Sequence, residues 1–298
     1  MTLRKYKNMK PLKYYFHHLF KKNNGDTSIK TKNIDESFNY LQKQMEENER
    51  VFFVRFGDGE FVTLMKRNHR NYKYNEKLDR EIEESFNIKD PNYLISCPIN
   101  YPYDQYIAKS IYTQFSWQQE MIDLIKSKKF DTSFTFENPC IFQCLTVFNP
   151  KKLKSFLDIH IRPKTKMFIG STEKETAEKL YGKIDYYIQI PAKHAYETID
   201  TWWPQVEENY KNVDLVIPSA GSTSNVISLR LWNLGYHKKL IDFGSVVDAV
   251  DNKTTRSWIR LQGHKANKLL SVKPKISFNQ KITFLLKDIK FYFRNQFI

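Results

Sequence analysis

Three short stretches of this chain carry side chains whose types and spacing could do chemistry. In VFFVRFGDGEF (residues 51–61) an apolar run leads into Arg55 and then into Gly57-Asp58-Gly59-Glu60. Two carboxylates separated by one glycine at the carboxyl end of a strand can face a single site. Hard oxygen donors of this kind are what a divalent cation with a diphosphate requires. Asp58 and Glu60 are therefore candidate metal ligands, and Arg55 is a fixed cation able to support the carboxylates or a diphosphate. A polar turn is the competing reading, because Asp and Gly are common turn residues. An amphipathic run is expected to begin at Phe61.

The second stretch is DLVIPSAGSTSNVISLRLWNLGY (residues 214–236), where a buried-strand pattern ends before Gly221, Ser222 and Thr223 and a helix follows. Free amides and hydroxyls at a helix start bind anions, so a phosphate fits here. The same hydroxyls also suit simple helix capping. The pattern lacks the spacing of a Walker loop or a GxGxxG fingerprint. The third stretch, IDFGSVVDAVD (residues 241–251), places Asp242, Asp248 and Asp251 beside the same sheet edge. Asp242 or Asp248 is a candidate general base toward a hydroxyl, or a ligand for sugar hydroxyls. A weaker case is MFIGST (residues 167–172), a strand followed by a possible helix cap.

Positioning these groups falls to an alternation of short apolar runs and amphipathic stretches. Strands are predicted at 51–56, 93–97, 166–169, 186–190, 214–218 and 240–243, and helices at 34–48, 79–86, 116–126, 173–180, 198–209 and 223–234. Such alternation implies an α/β fold, a single Rossmann-like domain with a mostly parallel, doubly wound sheet and helices on both faces. Ligands of such sheets bind beyond the carboxyl ends of the strands, where the three stretches end.

Hydrophobic residues at 41% against 27% charged describe a folded chain rather than a disordered one. Cys97, Cys140 and Cys144 are too few and too oddly spaced for a disulfide framework or a closed zinc site, and read as core thiols. The net charge of +15 is unevenly placed: residues 1–30 hold eight Lys/Arg against one Asp, and residues 264–298 hold another eight against Asp288. The body between them is close to neutral, which argues against a nucleic-acid partner and favours an anionic membrane surface for the two ends. Residues 282, 285, 286, 289, 292 and 293 fall on one face of a basic amphipathic pattern, which equally suits an ordinary terminal helix. The chain divides accordingly into a basic segment at 1–30, a domain at 31–263 and a basic segment at 264–298. No apolar stretch approaches the roughly 18 residues of a membrane span, and the first 25 residues lack a signal-peptide pattern. A cytoplasmic protein, peripheral on the inner face of the cell membrane if the ends bind lipid, is expected.

RFGDGEF, followed by a small-residue loop opening a helix at Gly221 to Thr223, then Gly235-Tyr236 and Asp242-Phe243-Gly244, resembles the GT-D fold glycosyltransferases over roughly residues 35–260. IPAKHAYE (residues 190–197) is similar to that family's Pro-Ala-x-Asn-Ala segment, with His194 where Asn is usual. The resemblance implies a UDP-sugar donor and a divalent metal, Mn2+ or Mg2+, at an Asp-x-Glu motif that falls on Asp58 and Glu60. Arg55, Gly57, Gly59, Gly221, Ser222 and Thr223 would complete the donor site. The expected activity is transfer of a hexosyl unit to a hydroxyl of a saccharide or glycoprotein acceptor, lipid-linked if the ends meet a membrane, in bacterial surface glycan synthesis. The rivals are a metal-dependent phosphoesterase using the same acids, and a non-catalytic membrane- or nucleic-acid-binding protein.

Overall fold

The computed structural model describes residues 29–68, 73–99 and 118–250, together with Leu269, Ile282 and Leu286. Apart from Ile29, Lys30 and those last three positions, the two basic ends lie outside the described residues, as does Asp251.

Six strands, β1 (Val51–Arg55), β2 (Tyr93–Ser96), β3 (Lys166–Gly170), β4 (Tyr186–Gln189), β5 (Leu215–Ser219) and β6 (Lys239–Ile241), form one sheet in the order β2-β1-β6-β5-β3-β4. Every pairing is parallel, with Phe52 opposite Tyr93, Val51 opposite Lys239 and Lys166 opposite Leu215. Because a strand's side chains alternate between faces, a sheet buried on both sides must be apolar at successive positions. β1 shows this: Phe52 and Val54 enter one core layer, Val51 and Phe53 the other.

Nine α-helices follow the same chain order among the described residues: α1 (Ile34–Glu47), α2 (Asp58–Leu64), α3 (Glu76–Phe86), α4 (Gln118–Ser127), α5 (Ile141–Phe148), α6 (Pro150–Phe156), α7 (Lys174–Tyr181), α8 (Ile199–Asn209) and α9 (Thr223–Asn233). The core layer that holds Phe52 receives Leu78 and Ile82 of α3, Ile122 of α4, Trp202 of α8 and Val226 of α9. The opposite layer receives Phe38 of α1, Phe142 of α5, Phe156 of α6 and Leu180 of α7. The sheet is thus covered on both faces. Leu269 is buried in the second layer, and its carbonyl accepts from Arg162 Nη2 at 2.6 Å.

All six expected strands and all six expected helices are present, with shifted ends. Three differences matter. The Asp58-to-Glu60 segment, expected as a turn before an amphipathic run at Phe61, is itself the first turn of α2. The two helices α5 and α6 were not expected. β6 ends at Ile241 and lies inside the sheet between β1 and β5, so Asp242 follows an interior strand. Cys97, Cys140 and Cys144 are buried free thiols, as read from the sequence.

Candidate active site

β1 delivers Arg55 and Phe56 to the carboxyl end of the sheet, and Gly57 caps α2. A glycine cannot cap with a side chain, so Glu60, three residues on, supplies the acceptor: its Oε2 takes the Gly57 N–H at 2.6 Å. That bond turns Glu60 inward, where it is 7% exposed. Burial raises the Glu60 carboxyl above the ordinary range, opposed by hydrogen bonds from the Ser222 hydroxyl and the Gly57 amide. Asp58, at the first position of the same turn, stays exposed. Like-charged Asp58 adds to the rise at Glu60.

β5 ends at Ser219, and Gly221 turns the chain with φ +59°, a left-handed conformation in which a side chain is strained. The hydroxyl that closes this turn belongs to Ser224, whose Oγ accepts from the Ala220 N–H at 3.1 Å. Ser222 occupies the N-cap position without a side-chain capping bond. Its buried hydroxyl bonds Glu60 instead, joining the β5–α9 turn to the β1–α2 turn. Asn225 Nδ2 adds a second link, donating to the Arg55 carbonyl at 3.1 Å.

After β6, Asp242 is 5% exposed; its Oδ1 accepts from the Gly244 N–H at 2.6 Å and lies 3.7 Å from Arg55 Nη1. Burial raises the Asp242 carboxyl, and Arg55 opposes that rise. Arg55 Nε donates to the Pro139 carbonyl at 2.7 Å. The guanidinium passes so close to Gly244 that a Cβ there would meet Nη1 at 1.8 Å, and Gly244 has φ +59°. Arg55 and Asp242 therefore form a packed node at the site. Asp248, in the 3₁₀ segment Gly244–Ala249, is partly exposed.

These three loops line one cavity of about 690 Å3. Ten of the residues singled out from the three stretches, Arg55, Gly57, Asp58, Gly59, Glu60, Gly221, Ser222, Thr223, Asp242 and Asp248, contribute to its wall. Ser171 and Thr172 after β3 do so as well, matching the weaker expectation from MFIGST. The cavity is of the size that holds a drug-sized or cofactor-sized ligand. Sequence reasoning missed Lys73 and Asn75 before α3 and the loop at residues 191–197 as parts of this wall. The signal for the loop was present at His194, which has φ +60°: Asn and His are both among the side chains that tolerate this backbone region. His194 Nδ1 lies 2.7 Å from Glu197 Oε1, and the Glu197 N–H donates to the His194 carbonyl at 3.0 Å.

The donors here suit a hard divalent cation in part. Asp58 is exposed and Glu60 is a buried carboxylate with no ion pair among the described residues, so a cation would supply a missing counter-charge. No group of three or more His, Cys, Asp and Glu side chains suited to a metal occurs among the described residues. An ion held by Asp58 and Glu60 would thus take its remaining oxygens from a bound ligand and water.

A family model described as glycosyltransferase GT-D fold matches residues 53–257. No curated protein sequence matches. Among solved structures, the chain is similar to a glycosyltransferase (DUF1792) from Streptococcus sanguinis, with a TM-score of 0.58 and 17% identity over 75% of this chain and 83% of that one. It is also similar to a structure of the domain of unknown function 1792, described as a distinct glycosyltransferase fold, with a TM-score of 0.53 and 18% identity over 86% of this chain and 89% of that one.

Proposed function

The chain belongs to the GT-D fold glycosyltransferase family, and from that premise we propose that it moves a hexosyl unit from a nucleoside-diphosphate sugar, a UDP-sugar, to an acceptor hydroxyl. The observation that carries this reading is the convergence of the Asp58/Glu60 turn, the Gly221-Ser222-Thr223 helix start and Asp248 on one cavity.

In this reading the diphosphate lies between α2 and the start of α9. The α9 N-terminus presents the positive end of the helix dipole, and Ser222 and Thr223 stand at that opening. Asp58 and Glu60 would hold a divalent ion, Mn2+ or Mg2+, which when bound offsets charge developing on the leaving nucleoside diphosphate. Arg55 keeps Asp242 and the β6 loop in place rather than meeting the donor as a first contact, because its guanidinium is already packed against Gly244 and Asp242. Asp248 is then the acid of the β6 loop that would bind sugar hydroxyls.

A saccharide or glycoprotein acceptor fits the reaction class. The basic charge of residues 1–30 and 264–298 supports an acceptor presented at an anionic membrane, such as a lipid-linked saccharide. No helix among the described residues is long and apolar enough to cross a membrane. The reading is tested by incubating the full chain with a panel of UDP-hexoses, Mn2+ and a panel of saccharide acceptors and following UDP release. Release from one or a few sugars, with no hydrolysis of p-nitrophenyl phosphate, is expected. Phosphate release from the simple ester without sugar turnover would instead establish a phosphoesterase.

A further inference from the structure

The geometry points to His194, oriented by Glu197, as the general base that deprotonates the acceptor hydroxyl. The inference rests on the transferase reading, since only a reaction that consumes a hydroxyl proton needs such a group.

Of the cavity's other carboxylates, Asp248 is read above as a ligand for sugar hydroxyls, and three are otherwise committed. Glu60 is buried and accepts hydrogen bonds from Gly57 and Ser222. Asp242 is buried between Arg55 and the Gly244 amide. Asp58 is the exposed candidate for the cation. His194 and Glu197 lie on the wall of the same cavity, with side chains 45% and 47% exposed, so an incoming hydroxyl can reach them. Glu197 Oε1 lies 2.7 Å from Nδ1, a contact that favours the tautomer with its proton on that nitrogen and leaves Nε2 as the ring position to take another.

The surrounding loop holds this pair in a defined place. His194 adopts φ +60°, and the Glu197 N–H bonds the His194 carbonyl at 3.0 Å, which closes a tight turn around the two side chains. Trp202 Nε1 donates to the Ala195 carbonyl at 3.1 Å. The Tyr196 hydroxyl donates to Glu81 of α3, which also accepts from Arg230 of α9 at 2.8 Å. The loop is therefore tied to the two helices whose N-terminal ends form other walls of the cavity.

In the step this assigns, a lone pair of the acceptor oxygen forms the new bond to the anomeric carbon. The bond from that carbon to the phosphate oxygen breaks, and its electron pair departs with the nucleoside diphosphate. The hydroxyl proton passes to His194 Nε2, and Glu197 stabilises the imidazolium so formed.

Two measurements on the full chain test this. In the first, UDP release from the UDP-hexose panel with Mn2+ and a panel of saccharide acceptors is compared for wild type, His194→Gln, Glu197→Gln and Asp248→Asn, alongside thermal stabilisation by UDP and Mn2+. A loss of roughly 100-fold or more in turnover for His194→Gln, with stabilisation by UDP retained and partial rescue by added imidazole, is expected. Turnover within about threefold of wild type, or loss confined to Asp248→Asn, would overturn the assignment. In the second, diethyl pyrocarbonate labelling compares His194 with the exposed His237. His194 should label faster, and Glu197→Gln should remove the difference. Equal rates in the wild type would overturn the dyad. If no UDP-sugar is turned over by wild type, the donor reading fails on its own, while the labelling result still decides whether Glu197 activates His194.

Discussion

At the scale of single residues, Glu60 serves the fold and the site in opposite ways. Its carboxylate caps α2 through the Gly57 amide, yet burial raises its affinity for a proton above that of an exposed glutamate. A carboxyl whose folded value is raised stabilises the fold fully below its ordinary pKa, and that contribution is lost as pH rises through the raised value. Without bound metal, Glu60→Gln should therefore be more stable than wild type at pH 7, with Tm higher by a few degrees. The gap should close as pH falls toward the ordinary glutamate value. Scanning calorimetry across pH checks this, and the same variant should lose metal-dependent nucleotide binding, a stability-for-function exchange. Gly244 makes the complementary case. Gly244→Ala forces a Cβ to 1.8 Å from Arg55 Nη1 at a positive φ, and should cost about 2–3 kcal/mol in urea unfolding through strain and loss of the Arg55–Asp242 node. Much of this was legible in the residues: Asp58 and Glu60 stand out as carboxylates one glycine apart. The packing of Arg55 against Gly244 was not, because their approach joins residues far apart in the chain.

At the scale of elements, hydrophobic periodicity located every predicted strand and helix, since a parallel sheet demands continuous apolar runs and its covering helices demand one apolar stripe. The failures have physical causes. α5 reads IFQCLTVF, and seven of its residues, Ile141 through Val147, are buried, so no polar face marks it as amphipathic. α2 begins at Asp58 although Gly59 lowers helix propensity, because the Glu60 cap and burial of Phe61 and Leu64 outweigh that cost. Three elements meet at Glu81, which accepts from Tyr196 in the cavity loop and from Arg230 in α9. Tyr196→Phe removes one of these bonds at a cost of about 1 kcal/mol. Hydrogen exchange should show faster opening of residues 191–197 with little change in the strands. Uniform acceleration across the sheet would mean that the bond supports the whole fold rather than the loop.

At the scale of the molecule, the sheet's order brings the ends of β1, β6, β5 and β3 side by side, and the loops that follow them face one cavity. The sequence predicted that ligands bind at this end of the sheet but could not foresee that Asp242 would be nearly buried in the cavity wall while the loop at 191–197 supplied another part of it. Burial of an acid and the reach of a loop depend on partners brought together only by folding. The most direct measurement is thermal stabilisation of the full chain by UDP and UDP-sugars, with and without Mn2+, in wild type and Asp58→Ala. Because Asp58 is exposed, the variant should unfold near the wild-type temperature in the absence of ligand. Wild type should show a Mn2+-dependent rise on the order of 5 °C at saturating nucleotide, abolished by Asp58→Ala; a folded wild-type protein with no response to any nucleotide, or an undiminished response in the variant, would contradict a metal-assisted nucleotide site at Asp58.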